Sequence, residues 1–273
     1  MTQKFHIWLV ASRPKTLTAS ISPIILGLSF AYYSGFFNSL TAIITILAAI
    51  LIQIGTNLAN DVFDFEKGAD FQGRLGPTRV TQAGLLTVEQ VKKGMIFSFS
   101  IALFFGFYLS WIGGLPIVII GSTAILAGIA YTGGPFPLGY NGLGDIFVFV
   151  FFGLIAVAGT FYLQGGPLFD STSLILGVCI GLIADCILII NNLRDIETDR
   201  KSGKNTLAVR MGKKFSILQY NLFLILPFAI PFYLYYFVET KFSWFLCFFL
   251  LPLALNLAIL SWTKTDEELN NLL

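Results

Sequence analysis

The chain has 273 residues, of which 56% are hydrophobic and 12% charged, with 28 phenylalanines and a net charge of +2. Soluble domains carry about twice that charge, so the composition excludes a water-soluble globular enzyme, and no nucleic-acid partner is expected. What remains is an all-α integral membrane protein whose partner is a lipid bilayer.

The first residues, up to Thr16, hold a short apolar patch interrupted by Arg13 and Lys15. That patch is too short and too charged for a cleavable signal peptide, so the first span is expected to stay in the mature protein. A spanning helix needs about 20 apolar residues. Such runs are read at Thr16–Tyr33, Leu40–Asn60, Gly94–Trp111, Leu115–Tyr131, Asp145–Tyr162, Ser173–Leu193, Phe215–Phe237 and Phe242–Thr263, which makes eight helices in one membrane-embedded domain over 1–273. Every basic residue except Lys241 then falls on one side. Positive loops stay inside, which places both termini toward the cytoplasm and suits a multi-pass protein of the cell's inner (cytoplasmic) membrane. The longest polar stretches, 61–93 and 194–214, are both cytoplasmic loops, while the outward loops leave no room for a further domain.

The second span ends in Asn57-Leu-Ala-Asn-Asp61-Val-Phe-Asp64, followed by Lys67, Arg74 and Arg79. After the fourth span, Tyr131 to Tyr140 is an uncharged turn rich in glycine and proline. Its two tyrosines suit either a cavity mouth or interfacial anchors. Asp145 opens the fifth span, where capping of the helix N-terminus is favoured over a substrate contact. Asp185 lies within the sixth span, about 15 Å along the helix from Asp195. It is either functional or an acid hydrogen-bonded to a neighbouring helix. The sixth span runs into Asn191-Asn-Leu-Arg-Asp195-Ile-Glu-Thr-Asp199, with Lys204 and Arg210 behind it. Cys179, Cys186 and Cys247 lie in apolar spans and read as small buried hydrophobes. Residues 266–273 read as the approach to a further helix, and the sequence is expected to be naturally short or incomplete at that end.

At helical spacing each asparagine–aspartate motif stacks its oxygen ligands on one face. Burying carboxylates at a membrane edge is costly unless they are paired or coordinated. Magnesium takes oxygen ligands and bridges one or two carboxylates to substrate phosphates. Asp61, Asp64, Asp195 and Asp199, with Asn57 and Asn191 one turn earlier, therefore suit a diphosphate carried on Mg2+. Lys67, Arg74, Arg79, Lys204 and Arg210 would take the remaining phosphate charge. Arg13 and Lys15 either hold an acceptor's carboxylate or anchor the first helix, anchoring being favoured. The plainer alternative for the motifs is a solvated loop that pairs acids with bases.

The segments Arg13-Pro-Lys-Thr16, Asn57–Asp64 with Gly68-Ala-Asp70, Gly139–Asp145, and Asn191–Asp199 continuing through Gly203 to Arg210 resemble the UbiA superfamily of intramembrane aromatic prenyltransferases. Within it they are most similar to the branch acting on 1,4-dihydroxy-2-naphthoate. The resemblance implies a helical bundle, usually of nine helices, around a central cavity opening to the cytoplasmic side. It also implies Mg2+, polyprenyl diphosphate and 1,4-dihydroxy-2-naphthoate as partners. The reaction would be prenyl transfer with loss of carbon dioxide, giving demethylmenaquinone, and the four aspartates would hold metal and diphosphate. Transfer to 4-hydroxybenzoate and phytyl transfer to naphthoate are the alternatives within the superfamily. Relatives commonly space both aspartate pairs by four; here the first pair is spaced by three, and the departure falls on Asp64. An ion-coupled transporter is the rival of another class, and it calls for charges near the midplane, where only Asp185 lies. A CDP-alcohol phosphotransferase is disfavoured because its Asp-Gly-x-x-Ala-Arg signature does not occur.

Overall fold

A computed structural model of the chain describes residues 2–69, 76–239 and 241–272. Arg74 and Asp70 lie outside the described residues. The short helix α1 (Thr2–Ser12) turns sharply at Arg13, the one described non-glycine residue with positive φ (52°), into α2 (Pro14–Tyr33), which has a proline in its first turn. Next come α3 (Ser39–Glu66), α4 (Val88–Ala130), α5 (Gly144–Leu163) and α6 (Ser171–Arg194). Two short helices, α7 (Ile196–Lys201) and α8 (Leu207–Met211), lead to α9 (Lys213–Phe237) and α10 (Phe242–Thr263).

Seven of these helices are long and apolar enough to cross a membrane, one fewer than the eight spans expected. The difference lies in α4. Its 43 residues would reach about 64 Å, twice the roughly 30 Å of a hydrocarbon core. Gly114 breaks it with non-helical angles (φ 64°, ψ −155°), and Pro116 follows. The two limbs fold back on each other, as their shared neighbours on α3 require. Near one end of α3, a side-chain atom at Gly94 would meet Leu58, and Thr132 donates a hydrogen bond to Asn60 at 2.9 Å. Near the other end, Leu109 and Ile117 share a buried cluster with Ala48. The expected spans Gly94–Trp111 and Leu115–Tyr131 are thus the two limbs of one kinked element.

Local chemistry sets the other ends. Thr87 and Gln90 form a reciprocal capping box that starts α4 before Gly94. Asp170 accepts from the Ser173 backbone N–H at 2.7 Å and starts α6. Helix α3 runs past Asn60 to Glu66, so the whole first motif is helical. Helices α5 and α6 approach closely because glycines face each other: a Cβ on Gly153 would stand 2.6 Å from the Gly177 carbonyl and 2.8 Å from Gly181 Cα. Residues Phe149–Ile155 of α5 wind as a π-helix beside this contact.

The C-terminal stretch Asp266–Leu272 is a 3₁₀ helix that folds back on the bundle. Leu269 and Leu272 join Ile189, Ile190, Ile217 and Tyr220 in a buried cluster between α6 and α9. The described residues of this stretch therefore pack as a tail against α6 and α9. Large apolar side chains elsewhere face outward, among them Trp111, Phe169 and Phe249, which in a bilayer is their apolar surrounding.

Candidate active site

The two motifs meet at the end of the bundle that carries the charged loops. A cavity of about 680 Å³ opens there. On α3 its lining runs from Asp64 to Thr45, about 28 Å along the helix and close to the thickness of a hydrocarbon core. Its mouth is polar: Arg13, Lys15, Asn57, Asp64, Arg79, Asn191, Asp195, Asp199 and Lys204 all line it. Deeper, the wall is apolar, with Phe147 and Phe151 stacked at 6.0 Å on α5.

Asp64 organises the mouth. It is 1% exposed and accepts three hydrogen bonds from three different loops: from Arg79 at 2.8 Å, from the Tyr140 hydroxyl at 2.8 Å and from Lys204 at 3.2 Å. The Lys204 contact joins the first motif directly to the loop behind the second. Two ammonium groups, of Lys67 and Lys204, each lie 4.8 Å from the centre of the Tyr140 ring. Lys67 also donates to the Thr132 carbonyl at 2.6 Å. Partial burial lowers its pKa below the ordinary lysine value, with Asp64 opposing the shift and Lys204 adding to it.

Asp61 stands behind this wall, outside the cavity lining. Its carboxylate accepts from the backbone N–H groups of Val80 and Thr81 at 3.0 and 3.1 Å, and Arg13 approaches to 4.0 Å. Asn57 donates to the Ser12 carbonyl at 2.8 Å and to the Thr16 hydroxyl at 2.9 Å, and it accepts from Gln53 at 3.1 Å. The α1–α2 turn is thereby tied to the first motif.

The second motif lies at a helix break. Asp195 ends α6, and the Asp199 N–H donates to its carbonyl at 2.7 Å, so one helical turn survives and keeps both aspartates on the cavity wall. Arg194 binds the Asp195 carboxylate through two nitrogens, at 2.8 and 2.7 Å, and reaches Asn270 of the C-terminal tail at 2.6 Å.

Several expected residues lie elsewhere. Arg210 is exposed and donates to the Asn141 carbonyl at 3.0 Å, bracing the turn that carries Tyr140, away from the cavity lining. Asp145 accepts from Gln219 of α9 at 2.9 Å and stands outside the lining. It occupies the first turn of α5, where its charge suits the helix N-terminus. Asp185 is 1% exposed, and its Oδ1 has no hydrogen-bond partner among the described residues; it too stands outside the lining. Tyr131 lines the cavity, its hydroxyl packed on Gly144 of α5. The sequence reading missed Arg194 as the partner of Asp195, the backbone donors of residues 80 and 81, and Gln219. Only Gln219 carried a signal, as one of two amides, with Asn221, in an apolar run.

Among the described residues, no three acid, histidine or cysteine groups converge as a ready-made ion cage. The donors around the mouth are nonetheless the hard oxygens that magnesium prefers, few per ion and beside cations suited to phosphate. The residues fit a Mg2+–phosphate pair that shares its ligands between protein, water and the phosphate.

Residues 20–272 match the model described as the UbiA prenyltransferase family. The 1,4-dihydroxy-2-naphthoate octaprenyltransferase of Haemophilus influenzae is 38% identical over 263 residues, covering 93% of this chain and 84% of that one. The Escherichia coli protein of the same name is 42% identical over 212 residues, covering 76% of this chain and 68% of that one. Among solved structures, a UbiA homologue from Archaeoglobus fulgidus bound to DMAPP and Mg2+ shares the fold, with a TM-score of 0.69 at 14% identity over 94% of this chain and 86% of that one.

Proposed function

The chain belongs to the UbiA prenyltransferase family, and we propose that it transfers a polyprenyl group from polyprenyl diphosphate to 1,4-dihydroxy-2-naphthoate. The carboxylate leaves as carbon dioxide, its bonding pair returning to the ring, and the product is the hydroquinone, demethylmenaquinol. The observation that carries this reading is the Lys204–Asp64 ion pair at the mouth of an apolar cavity as deep as a bilayer core. It sets basic side chains beside a cavity with an apolar wall, which supports a diphosphate at the mouth and a hydrocarbon tail below. The names of the bacterial relatives support the donor and acceptor.

In this reading Asp64, Asn57, Asn191, Asp195 and Asp199 hold Mg2+ and the diphosphate, with Asp61 fixing the 80–81 turn behind them. Arg79, Lys67 and Lys204 take phosphate charge, and Arg210 braces the turn that bears Tyr140. Magnesium held by these residues would supply positive charge against the departing diphosphate. The C–O bond to diphosphate breaks with its electron pair on oxygen. Phe147 and Phe151 offer aromatic faces to the allylic cation that remains. An electron pair of the naphthoate ring then forms the new C–C bond. The charged end faces the cytoplasm, in the inner membrane, and the chain acts as one catalytic unit.

The test is prenyl transfer by purified protein in lipid with magnesium and a long-chain prenyl diphosphate, offering dihydroxynaphthoate and 4-hydroxybenzoate side by side. Naphthoate consumption with release of carbon dioxide is expected. Transfer to hydroxybenzoate alone would move the protein to another branch of the family, and transfer to neither would refute the reading.

A further inference from the structure

The apolar part of the cavity contains two glycines that neither packing nor backbone geometry explains. Gly106 lies on the first limb of α4, flanked along the lining by Ala102, Leu103 and Ser110; Gly121 lies on the second, flanked by Val118, Ala124 and Ile125. In each case the spacing of three and four residues makes one helix stripe with the glycine near its middle. They stand eight residues before and seven after the Gly114 kink, so both sit about 10–12 Å from it along antiparallel limbs, at nearly one depth.

Other glycines of α4 are there because something is close. A Cβ on Gly128 would stand 2.3 Å from Thr56 Oγ1, and one on Gly113 would stand 2.2 Å from Ile117 Cγ1. At Gly106 and Gly121 a Cβ would meet nothing within 4 Å. Neither has a positive φ. Glycine weakens a helix relative to alanine, so what these two positions provide is open space. Leu103, Phe107 and Val118 beside them line the cavity and are 50%, 76% and 45% exposed, so little protein covers this wall.

We propose that Gly106 and Gly121 form a bore through which a long isoprenoid tail passes from the cavity to the lipid between the limbs of α4, and that these two positions decide which tail lengths are accepted. The inference rests on the prenyl-transfer reading above. A side chain at either position would project into the lumen without displacing backbone. Gly121 lies ten residues from Tyr131, hence about 15 Å below the mouth, beyond the reach of a geranyl tail but within that of an octaprenyl tail.

The experiment compares Gly121→Phe and, separately, Gly106→Leu with the wild type, each supplied with geranyl or octaprenyl diphosphate, magnesium and dihydroxynaphthoate. Each preparation is scored by its own octaprenyl-to-geranyl rate ratio, so partial loss of folded protein cancels. The ratio should fall about tenfold or more in both variants, the scale that a few misfit methylenes produce in an apolar site. Ratios unchanged within about twofold, or both donors lost together in both variants, would overturn the bore, since the misfit must be length-specific. A wild type inert with both donors would instead refute the prenyl-transfer reading on which the bore depends.

Discussion

Asp64→Asn is the most informative single change at the mouth. It preserves the shape of the side chain and removes the charge that Arg79, Tyr140 and Lys204 share. Removing one partner of a buried ion pair costs about 3–5 kcal/mol. Arg79 is only 7% exposed but keeps other interactions, so the lower end, about 3 kcal/mol, applies. Lys204 can turn toward solvent and adds little. For a chain of this size each kcal/mol moves the thermal midpoint by about 2–4 °C, giving a fall of roughly 6–12 °C. Thermal unfolding in detergent without ligand measures it. The same assay with magnesium and pyrophosphate tests the proposed role: saturation at a hundred times Kd stabilises the wild type by about 2.7 kcal/mol, and the variant should lose most of that gain. A midpoint within about 2 °C of wild type would refute the energetic argument, and an undiminished pyrophosphate gain would refute the site.

Three further outcomes follow from the same geometry. Asp195→Asn, which deprives Arg194 of its bidentate partner, should lower kcat by about a hundredfold or more; unimpaired turnover would remove Asp195 from the mechanism. Excess chelator should stop prenyl transfer and added magnesium restore it, whereas activity indifferent to chelation would show that the oxygen donors of the mouth serve no ion. Gly153→Ala would put a methyl group 2.6 Å from the Gly177 carbonyl, a backbone clash costing about 1–3 kcal/mol. Thermal melts should show the loss, and a variant as stable as the wild type would mean that α5 and α6 can separate without penalty.

The apolar runs made the bundle legible because each span must satisfy its backbone internally and face lipid. The kink at Gly114 was legible as the short gap between Trp111 and Leu115, since a continuous helix of that length has no place in a bilayer. The convergence of both motifs followed from their shared side of the membrane. What the sequence did not reveal was which groups answer the carboxylates. The donors to Asp61 are backbone N–H groups at residues 80 and 81, and a backbone donor leaves no mark in residue type. Arg194 read as one more positive charge near a membrane edge, although its fork closes on the adjacent side chain. Its link to Asn270 depends on the tail folding back, a docking that no periodicity announces.

The first motif shows how one residue of spacing decides a role. At 3.6 residues per turn, Asn57 and Asp64 fall within about 20° of each other around α3, while Asp61 is rotated from Asp64 by about 60°. The lining follows that geometry: Asn57 and Asp64 face the cavity, and Asp61 does not. A spacing of four would have carried the last aspartate about 100° further round the helix, away from Tyr140 and Lys204. The shorter spacing that set Asp64 apart in the sequence is therefore what brings it to the cavity, where it gathers three loops around one carboxylate. The pair divides the work, with Asp61 holding the 80–81 turn in place and Asp64 presenting charge at the mouth. The second motif reaches the same wall by another route, a helix break at Asp195. The two motifs match in composition but differ in construction: the first lies within a continuous helix, the second across a helix end.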